Sequence, residues 1–363
     1  MKVALVYDRV NKWGGGERVL LAFRKIFPNA NLYTSVYNKK KAPWAKVFNV
    51  KTSFLQGIPL ASSFHEGFAV FMPHAFESFV FDDYDLVISI TSESAKGIIT
   101  NPQTLHICYC LTPTRYLWSG IKDYFQNPVL RLLATPTIEY LKKWDKKASR
   151  RPDKYIAISS EVQKRIKKYY NKKSEIIYPP FTMFDKFLNK KTKKIKNDDY
   201  FLVVSRLTNF YKRVDIAIKA CNILNLNLKI IGTGLDESKL KKIAGPTIKF
   251  LGNVSDEKLA LYYKNSKALI FPGREDFGLT MVEAQAFGKP VIAFKGGGAL
   301  DIIKEGTTGE FFSKQSVDSL KNVLKKFDSR RYNSLLCKGN VKRFAFPVFE
   351  KQIKSFIKRN IKK

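Results

Sequence analysis

The stretch REDFGLTMVEAQAFGKP, residues 274–290, carries Glu275 and Glu283 eight positions apart with Phe277, Gly278 and Leu279 between them. The apolar run ALIFP ahead of it reads as a strand ending at Pro272. LTMVEAQAF has the spacing of a helix that begins near Gly278 and stops at Gly288. Glu275 is then expected in the strand-to-helix loop and Glu283 early in the helix. The unpaired N–H groups of the helix start lie between them, and such groups bind phosphate. A sugar nucleotide, with hydroxyls at both ends and a diphosphate in the middle, matches that order. Glu275 would hold the sugar and Glu283 the ribose. Two cations stand where the diphosphate would need them: Arg206 directly after the run FLVVS, and Lys212 six residues later in SRLTNFYKR. Fixed donors aimed at a departing diphosphate stabilise charge that grows in the transition state. Each charge-assisted contact is worth about 1.5–3 kcal/mol.

Two series of alternating strands and helices must position these groups. Val3 to Tyr7 is a short apolar run, followed by Gly14, Gly15 and Gly16 and the helical stretch ERVLLAFRKIF. Further strands are expected at 85–91, 105–110 and 155–159, with helical stretches between, and this alternation predicts a parallel sheet covered on both faces. A second series has strands FLVVS, LKIIG, IKFLG, ALIFP and PVIAF. Between the two, NKKTKKIKNDD at 189–199 has almost no apolar residue and reads as a linker. The expected organisation is α/β with two doubly wound Rossmann-like domains, 1–188 and 200–345, and a C-terminal helix at 346–363 docking on the first. Ligands of such folds lie at the carboxyl ends of the strands, here in a cleft between the domains.

The totals narrow the partners. The chain has 363 residues, enough for two cores, and its formal charge of +34 suits phosphorylated ligands or anionic lipid. Nucleic acid is not expected, because no recognition motif and no clustered basic and aromatic repeats accompany the charge. Cys108, Cys110, Cys221 and Cys337 do not have zinc or disulfide-framework spacing. MKVALVYD leads straight into a strand, and no uncharged stretch approaches the length of a membrane span, so a cytoplasmic protein is expected. Asp83-Tyr84-Asp85 spells a metal-binding DxD, but it begins a strand rather than ending one and reads as a loop acid cluster. No metal or cofactor is expected.

Taken in order, these residues resemble the retaining glycosyltransferases of family 4, which have the GT-B fold. The likeness rests on GGGERV, YDLVIS, HICYC-TP-RYLW, YPP, SR with Lys212, GTG after LKIIG, the Glu275 to Glu283 spacing and GGALDIIKEGTTG. TSFLQ, HICYCLTPTRYLW and IYPP are most similar to the mannosyltransferase-B-like subgroup of O-antigen and related surface polysaccharide assembly. The resemblance implies transfer of a sugar, mannose from GDP-mannose, to a lipid-linked saccharide, with retained configuration and without a metal. It also implies that Arg206 and Lys212 bind the diphosphate, Glu275 the donor sugar and Glu283 the ribose. Gly15 and Gly16 would approach the donor phosphate or the acceptor. Gly232, Gly234, Phe277, Gly278 and Leu279 would complete the donor site.

One position departs from the subgroup. Leu111-Thr112-Pro113 stands where its members read His-Thr-Pro. An isobutyl group makes no hydrogen bond, so a catalytically weak or silent nucleotide-sugar-binding partner is the alternative reading. A sugar-nucleotide epimerase of the same architecture is a lesser one. His106 is expected to be a packed core residue, and the aromatics of HEGFAVFMPHAFESF are expected in the core.

Overall fold

Val3–Tyr7 (β1) is buried at each of its positions, as a strand covered on both faces must be. In the computed structural model, which describes residues 1–125, 127–181 and 199–361, β1 is an interior strand of a seven-stranded parallel sheet. Its companions are Asn31–Thr34 (β2), Val50–Thr52 (β3), Leu86–Thr91 (β4), Leu105–Cys110 (β5), Lys154–Ala157 (β6) and Glu175–Ile176 (β7). Their order is β3-β2-β1-β4-β5-β6-β7. Phe201–Val204 (β8), Leu228–Ile231 (β9), Ile248–Phe250 (β10), Leu269–Phe271 (β11), Val291–Phe294 (β12) and Gly309–Phe312 (β13) form a six-stranded parallel sheet. Its order is β10-β9-β8-β11-β12-β13. Two compact units result: Met1–Pro180 with Phe349–Lys363, and Phe181–Val348.

Each sheet reverses its order once, beside β1 in the first unit and beside β8 in the second. At the first reversal Asp8, 4% exposed, ties the strands together. It accepts hydrogen bonds from Thr91 Oγ1 at 2.7 Å and from the N–H groups of Ser92, Glu93 and Ala95 at 2.7, 3.0 and 2.9 Å. Burial, and then the charge of Glu93, push its carboxyl pKa up in spite of these donors. Deeper in this unit Lys96 and Asp145 form an ion pair at 2.5 Å with side chains 2% and 1% exposed. Burial works against the Lys96 charge, but Asp145 outweighs it and holds the ammonium above the usual lysine range.

The helix Phe346–Asn360 buries Phe349, Ile353, Phe356 and Ile357. Phe349 meets Phe23 and Tyr109 edge to face, with ring centroids 5.3 and 6.0 Å apart. The chain joins the second unit at Phe181 rather than after residue 188, because the Phe181 N–H donates to Phe344 O at 2.7 Å and Phe181 bridges Ala345. Residues 346–348 also belong to that unit. The linker expected at 189–199 lies, apart from Asp199, outside the described residues.

Other details differ from the sequence expectation in instructive ways. The strands β2, β3, β7 and β13 are not evident from pattern, being two to four residues long and only partly buried. In HEGFAVFMPHAFESF, Met72 and Phe76 are core, but Phe71 is 49% exposed. His106 is fully buried, its Nε2 within 2.8 Å of Ser89 Oγ, and burial lowers its pKa to about 3. All four cysteines are free and buried. The acids of Asp83-Tyr84-Asp85 pair with Lys2 and the chain's amino terminus, ahead of β4. Among the described residues no helix is long and apolar enough to cross a membrane.

Candidate active site at the edge of the second sheet

The sheet order reverses between β8 and β11, and the carboxyl ends of strands at such a reversal are the usual ligand position of an open parallel sheet. The loop after β8 carries Arg206 and leads into the short helix Asn209–Lys212. The loop after β11 carries Glu275 and leads into the helix Leu279–Ala286, with Gly278 in the left-handed region as its N-cap. No side chain caps that helix. The structure brings the two loops together: the Lys212 ammonium donates to the Glu275 carboxylate, with side-chain exposures of 15% and 21%. Gly273 makes this approach feasible. A Cβ there would lie 2.7 Å from Tyr211 O and 3.0 Å from Lys212 Cα.

The Glu275 loop is pinned from both sides. Gln315 Nε2 donates to Pro272 O at 2.9 Å, and the Gly298 N–H donates to Glu275 O at 2.9 Å. Arg206 is exposed, and among the described residues its guanidinium has no hydrogen-bonding partner. The Arg206 loop is itself held by the turn after β9, through Ser205 N–H to Ile231 O at 3.0 Å and Leu207 N–H to Thr233 O at 2.9 Å. A cation free to meet an anion, a paired cation and acid, and a helix N-terminus therefore follow the carboxyl ends of two neighbouring central strands.

Glu283 has a different setting. It falls in the second turn of its helix, 1% exposed, and accepts a hydrogen bond from Tyr263 Oη at 2.7 Å. Tyr263 is stacked on Phe287 at 5.6 Å. Phe277 is buried, and Leu279 is half-buried at the first helical position. Gly232 and Gly234 pack on the Arg206 loop. Gly15 and Gly16 open the helix Gly15–Ile26 of the first unit. A Cβ on Gly16 would lie 2.7 Å from Tyr7 Oη and 3.1 Å from Leu111 Cδ1, so Leu111 closes over that turn. The Tyr7 hydroxyl donates to Glu17 at 2.8 Å beneath it.

Sequence reasoning assigned no role to Tyr263, Gly273, Gly298 or Gln315. The run GGGALDII signals Gly298. The others make contacts that no local pattern announces.

Gly232 gives a sharp test of the loop geometry. Its φ is +127°, and a Cβ there would overlap the carbonyl oxygen of Ser205. Gly232→Ala is expected to destabilise the second unit by about 1–3 kcal/mol. That corresponds to a melting point about 3–10 °C lower. An unchanged melting curve would show that this turn does not press on the Arg206 loop.

Residues 184–334 match the family described as Glycosyl transferases group 1. The match takes in most of the second unit. An uncharacterized glycosyltransferase of Methanocaldococcus jannaschii is 28% identical over 184 residues, 49% of this chain and 50% of that protein. A GDP-mannose-dependent alpha-mannosyltransferase of Mycolicibacterium smegmatis is 38% identical over 86 residues, 23% of each chain. The chain thus spans about half or less of the curated relatives it matches. An Anabaena protein solved in complex with UDP-glucose superposes with a TM-score of 0.69, at 18% identity, over 99% of this chain and 100% of that one. The likeness establishes the GT-B fold. The second unit places Arg206, Lys212 and Glu275 on adjoining loops that follow its central strands β8 and β11, and buries Glu283.

Proposed function

We propose that the chain is a retaining, metal-independent glycosyltransferase that moves mannose from GDP-mannose to a lipid-linked saccharide of surface polysaccharide biosynthesis. It would work at the cytoplasmic face of the membrane. The observation that carries the reading is the contact of Lys212 with Glu275 beside the N-terminus of the Leu279–Ala286 helix. A diphosphate leaving group takes Arg206 and Lys212 as counter-charges and the helix N–H groups as donors. Glu275 takes a hydroxyl of the sugar. The bond from the anomeric carbon to the phosphate oxygen breaks, the acceptor oxygen bonds to the same face, and the departing phosphate oxygen takes the acceptor proton. Glu283, held by Tyr263 Oη, would meet the ribose hydroxyls. Gly15 and Gly16, at the start of the helix that follows β1, would accept close approach of phosphate or acceptor.

The relatives name different nucleotides, GDP for the mycobacterial mannosyltransferase and UDP for the Anabaena protein. Donor choice depends on a few contacts on a shared scaffold. GDP-mannose is expected to raise the melting point more than UDP- or ADP-sugars do. At a hundred times its dissociation constant the gain is about 2.7 kcal/mol, which is about 5–10 °C for a unit of this size. No rise with any nucleotide sugar would sink the proposal. The position of Leu111 against Gly16 favours one second reading, a silent binding partner. It wins if the melting point rises but sugar is transferred only after Leu111→His.

A further inference from the structure

We propose that the helix Pro128–Ala148 of the first unit is a docking element that inserts its first turns into an anionic lipid surface. The inference deepens the membrane contact proposed above and rests on that reading for its choice of partner. Val129, Leu130, Leu132 and Leu133 are 64%, 58%, 73% and 72% exposed. Single exposed leucines are ordinary, but four large apolar side chains within five residues are not. Further along, Ile138, Leu141, Asp145 and Ala148 recur at intervals of three and four and hold the helix to its unit.

The occupant is argued from length and charge. At the helix start, at about 100° per residue, positions 129, 130, 132 and 133 fan over about 160° and form one broad outward face. The segment Pro128–Ala134 has seven residues, a length of about 10 Å, which suits insertion into one leaflet and not a crossing. The outward row then changes character, with Pro136 and Tyr140 followed by the exposed Lys143, Lys147 and Arg150. Glu139, the exposed acid of this helix, is paired with Lys142 at 2.7 Å. Apolar residues leading and cations trailing along one face match an acyl layer beneath a sheet of anionic headgroups.

The test is flotation of the full chain with phosphatidylcholine vesicles, with and without phosphatidylglycerol, at low and high salt. The unaltered protein is expected to float with the anionic vesicles and to be released by salt. Leu132→Ser with Leu133→Ser should cut the bound fraction at least tenfold, while the melting curve and its response to nucleotide sugar stay as they were. Lys143→Ala, Lys147→Ala and Arg150→Ala should each weaken binding about fivefold and together remove most of the salt dependence. If the unaltered protein ignores anionic vesicles, the membrane contact itself fails. If it binds and the double serine variant binds equally, the assignment to this helix fails alone. Gel filtration is the last arm: a dimer that the serine changes convert to a monomer, without flotation, gives the face to a second copy and overturns the proposal.

Discussion

Lys212→Ala lowers the rate of sugar transfer by about a hundredfold or more, and Glu275→Gln does the same. The loss of one fixed donor at a developing anion costs on the order of a hundred- to a thousandfold in turnover. Lys212 is such a donor, held by its contact with Glu275 against a loop pinned through Gly298 and Gln315. Removing the ammonium also leaves Glu275 without that counter-charge next to an arriving diphosphate, which raises KM for the donor. Glu275→Gln keeps the shape and removes the acceptor charge, so its effect should fall on kcat more than on KM. Both side chains sit on segments that follow the carboxyl ends of their strands, outside the core, and the melting points of the variants should stay within a few degrees of the parent. The measurement is initial rate against donor concentration, with the donor that stabilises best. Near-normal rates in both variants would reject the assignment of these residues.

The second large effect concerns stability. Asp145→Ala is expected to destabilise the first unit by about 3–5 kcal/mol, lowering its melting point by about 10 °C. One Asp145 oxygen receives Lys96 at 2.5 Å and Thr114 at 2.9 Å, and the other receives Trp118 Nε1 at 2.7 Å. Truncating the acid strands a buried ammonium, and desolvation of that charge makes up most of the loss. The pairing of Lys96→Met with Asp145→Leu should recover much of it, because the desolvation cost disappears together with the attraction. Thermal unfolding followed by near-ultraviolet circular dichroism measures both. If Asp145→Ala melts within two or three degrees of the parent, the pair is not the tie it is taken to be.

That network also explains a motif that the sequence alone could only quote. Thr114 and Trp118 lie in HICYCLTPTRYLW, and both donate to Asp145 on the Pro128–Ala148 helix. Their partners are 31 and 27 residues away. Local pattern carries no signal over such distances.

Strands were legible where both faces are covered. LVISIT and LHICYC are buried at every position, and a mostly apolar run, broken only by Ser89, Thr91 and His106, is their signature. NLYT and GEFF lie at or near sheet edges with mixed burial, so their residues resemble those of loops. In the site, Arg206 and Glu275 were legible because each closely follows a strand whose end fixes its place. The Lys212 to Glu275 contact spans 63 residues of sequence and becomes visible only once β8 and β11 are neighbours. The setting of Glu283 was hidden for a related reason. Its spacing shows a helical position, but the face it occupies is decided by Tyr263 on another helix.

The helix Phe346–Asn360 completes a unit whose remaining residues end at Pro180. As the chain emerges from the ribosome, the first unit is present early but lacks the Phe349 ring that closes over Phe23 and Tyr109. The second unit is continuous in sequence and has all its strands before that helix is made. The order of maturation is therefore inverted relative to the order of synthesis. The first unit waits with an apolar seam open until its last helix arrives, and that interval is when the nascent protein most needs a chaperone.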